Sequence, residues 1–218
     1  MSDRAAVFVD AQFLRIEGAK ALGFDVRSSR LHAPKLVQSL RELAEELTGH
    51  RFLRLYWYDA EYPPNHPSAD SQREYFRAIS LTPGLTLRLG KIKPITPPWL
   101  HRVRRELERR GAADLLDRAG PIHVQKGVDT LLVLDLVRLA QRRVIHAALL
   151  VAGDRDLLDG VRAAQEDGCT VALAYPYRAG VDPDLRRTVD QTHEIKEGVL
   201  QEILYRAAPT PLPPSGAK

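Results

Sequence analysis

Apolar positions come in two periods along this chain, and their alternation predicts the fold. Ala5–Val9 is a short unbroken apolar run closed by Asp10, which reads as a buried strand. After an irregular stretch, Leu36, Val37, Leu40, Leu43, Ala44 and Leu47 recur at helical spacing. Pro34 stands near the start of that helix and Gly49 just past its end, where each residue is best tolerated. Phe52–Tyr58, rich in aromatics and leucine, predicts a second strand finishing at Asp59. Tyr62-Pro-Pro-Asn-His-Pro is a loop, and a helix near Ser71–Leu81 would bury Tyr75, Phe76 and Ile79. Pro83-Gly84 ends it, and Leu85–Ile92 alternates as a third strand.

In the second half, Pro94, Pro97 and Pro98 precede a basic helix from about Trp99 to Leu116. Gln125-Lys-Gly-Val-Asp129 opens a very apolar helix reaching about Ala140. Ala147–Ala152 is the strongest buried-strand run and ends in Gly153-Asp154. A helix near Arg155–Gln165, a turn at Gly168 and a strand over Thr170–Ala174 follow, with helical turns expected near Leu185–Val189 and Glu197–Arg206. Five strands alternating with helices argue for an α/β fold: one parallel sheet with helices on both faces. Residues 1–206 read as one domain, with a basic helical insertion at about 94–118. The four prolines of Ala207–Lys218, with almost nothing to bury, predict a disordered tail.

Composition narrows the classes. Hydrophobic content of 44% with 28% charged residues is globular. One cysteine, Cys169, allows no internal disulfide, and its apolar neighbours predict a buried, inert thiol. The apolar stretch before Asp10 is too short for a signal-peptide core, and no segment approaches the ~20 apolar residues of a membrane span. The expected compartment is the cytoplasm, with no membrane partner. Net charge is only +4, yet Arg88–Arg110 carries eight Lys/Arg against two Glu. A basic stretch on a near-neutral body suits a polyanion, and a solvated charged face equally.

In open α/β sheets the ligand site lies beyond the carboxyl ends of the strands. Asp10 and Asp154 follow strands, Asp156 shares the turn of Asp154, and Asp129 lies in a first helical turn. Singly, each has a structural use: aspartate caps helices, and the helix dipole favours acids in first turns. Together they carry a cost, since two carboxylates ~4 Å apart repel by about 4 kcal/mol at an effective dielectric near 20. A divalent cation offsets that repulsion, and an all-oxygen set suits Mg²⁺ or Mn²⁺. The histidines are scattered without zinc-ligand spacing. Such a metal site matches phosphodiester hydrolysis. Gly-x-Ser-x-Gly, Walker A and Gly-x-Gly-x-x-Gly motifs are absent from the sequence.

Val7-Phe-Val-Asp-Ala-Gln-Phe-Leu14 resembles the opening motif of NYN proteins, a branch of the PIN-like nucleases. Lys126-Gly-Val-Asp-Thr-Leu-Leu-Val-Leu-Asp135 is similar to their second signature, and Leu149-Leu-Val-Ala-Gly-Asp-Arg-Asp-Leu157 to their third. The resemblance, running from about residue 5 to 190, implies a three-layer α/β/α sandwich with a mainly parallel five-stranded sheet. It implies Mg²⁺- or Mn²⁺-dependent cleavage of RNA, with Asp10, Asp129, Asp154 and Asp156 as catalytic metal-site acids. The chain departs from the family at Phe13, where asparagine is usual, so a catalytically weakened module binding RNA or a protein is the alternative. Toprim and haloacid dehalogenase folds fit less well, because Asp10 replaces the glutamate of the first and Gln12 breaks the Asp-x-Asp of the second.

The remaining polar positions divide. Asp135 lies six residues after Asp129, about 120° around the helix among apolar neighbours, and is expected to be paired as a structural group. Lys126 is a candidate phosphate contact, and Asp59 a peripheral acid at the same sheet edge. Arg102, Arg104, Arg105 and Arg109 flank an apolar stripe of Leu100, Val103 and Leu107, with Trp99 and His101 able to stack on unpaired bases. They form either a phosphate clamp for single-stranded RNA or a solvated helix docked by its stripe. A second copy of the chain or a regulatory protein is a further candidate partner.

Overall fold

The computed structural model describes residues 3–95, 99–110 and 122–206. Its strands are β1 (Arg4–Asp10), β2 (Ser29–Leu31), β3 (Arg51–Glu61), β4 (Leu85–Ile95), β5 (Ile122–Lys126), β6 (Ala147–Val151), β7 (Thr170–Pro176), β8 (Gln191–Ile195) and β9 (Leu204–Arg206). The described helices are α1 (Ala11–Ala21), α2 (Ala33–Thr48), α3 (Ala69–Ser80), α4 (Leu100–Arg109), α5 (Val128–Gln141), α6 (Leu158–Glu166), α7 (Pro183–Thr188) and α8 (Glu197–Ile203), with a 3₁₀ turn at Arg155–Leu157.

The main sheet has seven strands in the order β5-β4-β3-β1-β6-β7-β8. All neighbours are parallel except β4 and β5. From β1 the chain winds outward through β3 and β4, then returns to the other side of β1 to lay down β6, β7 and β8. The winding therefore reverses between β1 and β6, the position at which open α/β sheets place their ligand sites.

Strand β1 is buried on both faces, as expected of a central parallel strand. Its alternation divides the core. Ala6 and Phe8 pack with Leu132 and Leu136 of α5 and Val161 of α6. Val7 and Val9 pack on the opposite side with Leu14 of α1, Leu36 and Leu40 of α2 and Phe76 of α3. Cys169 is buried, and burial pushes its thiol up to about 12, in line with the inert role expected.

The structure corrects the five-strand expectation in several places. Helix α1 occupies the stretch read as irregular after Asp10. Gln125 and Lys126, expected to open a helix, instead end the antiparallel edge strand Ile122–Lys126 held by β4. Gln191–Ile195 adds the opposite edge beside β7. Ser29–Leu31 and Leu204–Arg206 pair as a separate antiparallel ribbon, so the last helical turn ends at Ile203. The expected end of the basic helix at Leu116, and the tail over 207–218, lie outside the described residues.

Asp135 ties these layers together. It accepts hydrogen bonds from the Tyr58 hydroxyl of β3 (3.0 Å) and from Arg88 Nε of β4 (2.9 Å). The expected pairing is met by two strands at once, so α5 is held in register on the sheet. Asp135→Ala would strand a buried phenol and a half-exposed guanidinium. A loss of about 1–3 kcal/mol is expected in urea unfolding, with Asp135→Asn losing less because its amide oxygen still accepts from Tyr58.

Candidate acidic site at the strand ends

Local turns place Asp10 and Asp154 at the carboxyl ends of β1 and β6 and Asp129 at the start of α5. Asp10 is both the last residue of β1 and the N-cap of α1, its Oδ1 accepting from the Phe13 N–H at 3.0 Å. This direct strand-to-helix join fixes the carboxylate at the edge of the sheet. Asp154 follows β6 and caps the 3₁₀ turn, accepting from the Asp156 N–H at 3.0 Å. Asp129 is the second residue of α5, whose entry requires the left-handed conformation of Gly127 (φ 83°).

The carboxylates sense one another. Burial, reinforced by the charges of Asp129 and Asp59, raises Asp10 to about 6 despite its hydrogen bond from Phe13. Burial also raises Asp129, with Asp154 and Asp156 adding to the effect. The acids thus form a line along the sheet edge in which Asp129 couples to Asp10 on one side and to the Asp154 turn on the other. Among the described residues no three acidic, histidine or cysteine side chains are grouped closely enough to hold one metal ion. Asp154 and Asp156 are exposed, while Asp10 and Asp129 are partly buried. Arg155, lying between Asp154 and Asp156 in the chain, reaches instead to Asp184 and so does not neutralise the line.

Phe13 occupies a decisive place. A Cβ on Gly153 would fall 2.3 Å from its ring, so the phenyl group packs directly on the backbone beside Asp154. Where asparagine would offer a polar group between the first and third motifs, this chain has an apolar wedge.

Asp59 carries more weight than its sequence position gave it. It lies near the end of β3, beside β1, where Tyr58 is in register with Asp10. Burial raises its carboxyl, opposed by the Ala60 N–H and the charges of Arg15 and Arg30. Its location after the same kind of strand as Asp10 was the available signal. Arg15 belongs to a helix that the apolar pattern did not reveal.

The basic candidates occupy exposed positions. Lys126 is exposed at the end of β5, opposite Lys91. In α4, Arg102, Arg104, Arg105 and Arg109 are exposed, and Arg109 pairs with Glu106 at 3.1 Å. No described residue of α4 is fully buried; of the stripe expected to dock it, Leu100 and Leu107 are half-buried and Val103 is exposed. Trp99 and Val103 are 49% and 39% exposed.

A mostly parallel sheet flanked by helices is the architecture of a PIN-like nuclease-type domain. The chain matches the NYN domain over residues 4–196 and belongs to that family. It is 40% identical over 82 residues to the uncharacterized protein y4oD of Sinorhizobium fredii, a match spanning 37% of this chain and 38% of that relative. The fold is shared with a protein of unknown function from Vibrio parahaemolyticus, at 16% identity and a TM-score of 0.54, covering 94% of this chain and 97% of the other. Among the described residues no helix is long and apolar enough to cross a membrane.

The elevated Asp10 carboxyl has a consequence in protein freed of metal by chelator. The folded state holds this proton more tightly than the unfolded chain, so stability falls as pH rises from about 4 through 6. Asp10→Asn keeps a capable N-cap and removes the charge. It is expected to stabilise the metal-free protein by up to about 3 kcal/mol at pH 7, with the gain gone below about pH 4. Thermal unfolding of both proteins across that range is the check.

Proposed function

We propose that this NYN domain is a divalent-metal-dependent ribonuclease whose site acids are Asp10, Asp129, Asp154 and Asp156. The observation carrying this reading is Asp10 and Asp129 with raised carboxyls beside the Asp154 turn at the winding reversal, while Arg155 of that turn is engaged with Asp184. The donor chemistry suits a hard cation, because every side chain offered is a carboxylate. Their spacing does not yet gather three donors about one point, so loading requires the exposed Asp154 and Asp156 to turn inward. Mg²⁺ or Mn²⁺, when bound, would supply Lewis acidity toward a phosphodiester and a water of lowered pKa.

The protein's own residues have separable tasks in this reading. Asp10, fixed by its cap to α1, is the rigid carboxylate. Asp129 links it to the Asp154 turn. Lys126 and the α4 arginines Arg102, Arg104, Arg105 and Arg109 hold phosphates of single-stranded RNA, giving affinity without sequence readout. A second reading, a catalytically weakened module that binds RNA or a protein partner, is favoured by the Phe13 ring packed against Gly153.

The test is cleavage of labelled single-stranded RNA with Mn²⁺, with Mg²⁺ and with chelator. Cleavage only with metal is expected, reduced more than about a hundredfold in Asp154→Asn, since even outer partners of metal ligands are worth 10–100-fold. Phe13→Asn is expected to raise the rate. RNA binding without cleavage in the wild type under either metal would favour the second reading.

The arm has its own signature. Replacing Arg102, Arg104, Arg105 and Arg109 together should lower the slope of log affinity against log salt by about 3, at roughly 0.7 per lost phosphate contact. Equilibrium binding across a salt series measures it, and an unchanged slope would make α4 an ordinary solvated helix.

A further inference from the structure

On the α1 side of Asp59 lies a cleft of about 490 Å³, bounded by α1, the chain leading to β2, β3 and the start of α3. Three guanidiniums, Arg15, Arg27 and Arg30, line it, and Asp59 is the only acid among its lining residues. None of the three arginines forms an ion pair with a described residue. Arg15 is anchored to the Val26 carbonyl, and Arg30 to the carbonyls of Arg27 and Ser29. Arg30 also lies 6.0 Å over the Tyr75 ring, so both partly buried guanidiniums are held in place before any ligand arrives. The floor is polar and incompletely satisfied. Gln125 reaches Asp59 only at 3.4 Å, and Trp57 Nε1 is buried toward Asp59 without closing a hydrogen bond.

We infer that this cleft is a subsite for one unpaired ribonucleotide of the RNA, with phosphate on Arg15, Arg27 and Arg30 and the base inward against Asp59 and Gln125. The inference rests on the ribonuclease reading for its choice of RNA. Excess positive charge at preset guanidiniums asks for an anion. The volume decides what kind, because it is within the range of small-molecule sites and far larger than a bare phosphate fills. The floor presents a carboxylate acceptor beside an amide, which suits a base edge bearing both donors and acceptors. The cleft also begins at Ala11 and Gln12, directly after Asp10, so a nucleotide held there adjoins the acidic edge.

Trp57 makes the test direct, because the chain has only two tryptophans. In full-length protein carrying Trp99→Phe, Trp57 emission is followed with chelator present. The titrants are the four nucleoside monophosphates, a nucleoside, inorganic phosphate and dinucleoside monophosphates. A saturable change is expected with monophosphates, with nucleoside and phosphate binding at least about tenfold more weakly, as loss of a charge-assisted contact predicts. Dinucleoside monophosphates should bind at least as tightly. Arg27→Ala and Arg30→Ala, with folding checked by circular dichroism, should each weaken binding about tenfold. No saturable change at millimolar nucleotide, phosphate binding as tightly as nucleotide, or unaltered affinity in both arginine variants would overturn the subsite. Weaker binding of dinucleotides would overturn its assignment to RNA. Nucleotide binding in a protein that never cuts RNA would keep the subsite and remove only the nuclease reading, whereas RNA cleavage without nucleotide binding would do the reverse.

Discussion

Holding Asp10 at the carboxyl end of the central strand is the constraint on which this site depends. The strand buries both of its faces, so its last residue cannot shift without disturbing two cores. Its carboxylate then caps the helix that follows, which joins sheet and helix with no intervening loop. The result is a partly buried acid whose own environment resists its charge. The charges of Asp129 and Asp59 deepen that resistance. A cation at this edge would relieve an unfavourable field already built into the fold, so cation binding there and the destabilising charge of Asp10 would share one cause.

The strands that carry this edge were legible because they are central. Ala5–Val9, Leu55–Tyr58 and Ala147–Ala152 are buried on both sides and therefore read as apolar runs. Edge elements lack that signature. Gln191–Ile195 is mostly polar because only one face meets the core, and Ile122–Lys126 is short and follows a proline. Helix α1 shows no clear apolar stripe, since it buries only Ala11, Leu14, Ala19 and the glycine Gly18. In the fold its missing Cβ admits Leu204, since an added carbon would meet that side chain at 2.5 Å. A glycine that permits close packing and one that breaks a helix look alike in sequence.

The candidate site was legible to the same degree. Asp10, Asp129, Asp154 and Asp156 could be picked out because strand ends and first helical turns have readable positions. What the pattern could not supply was their spacing, which leaves no three of them around one point as the chain stands. The Asp59 cleft was equally hidden, because Arg15, Arg27 and Arg30 come from an unrecognised helix and the irregular segment after it. Phe13 was visible as a departure from the family. Its consequence, a ring seated on Gly153 beside Asp154, needed coordinates.

The central claim is that the acids at the β1–β6 winding reversal take up a hard divalent cation. Crystals soaked in Mn²⁺ and measured for anomalous scattering test it most directly. The account predicts a peak within coordination distance of carboxylate oxygens of Asp10 and of Asp129 or the Asp154 turn, lost in Asp10→Asn. No peak at that edge under saturating Mn²⁺, or one held only by other residues, would contradict it.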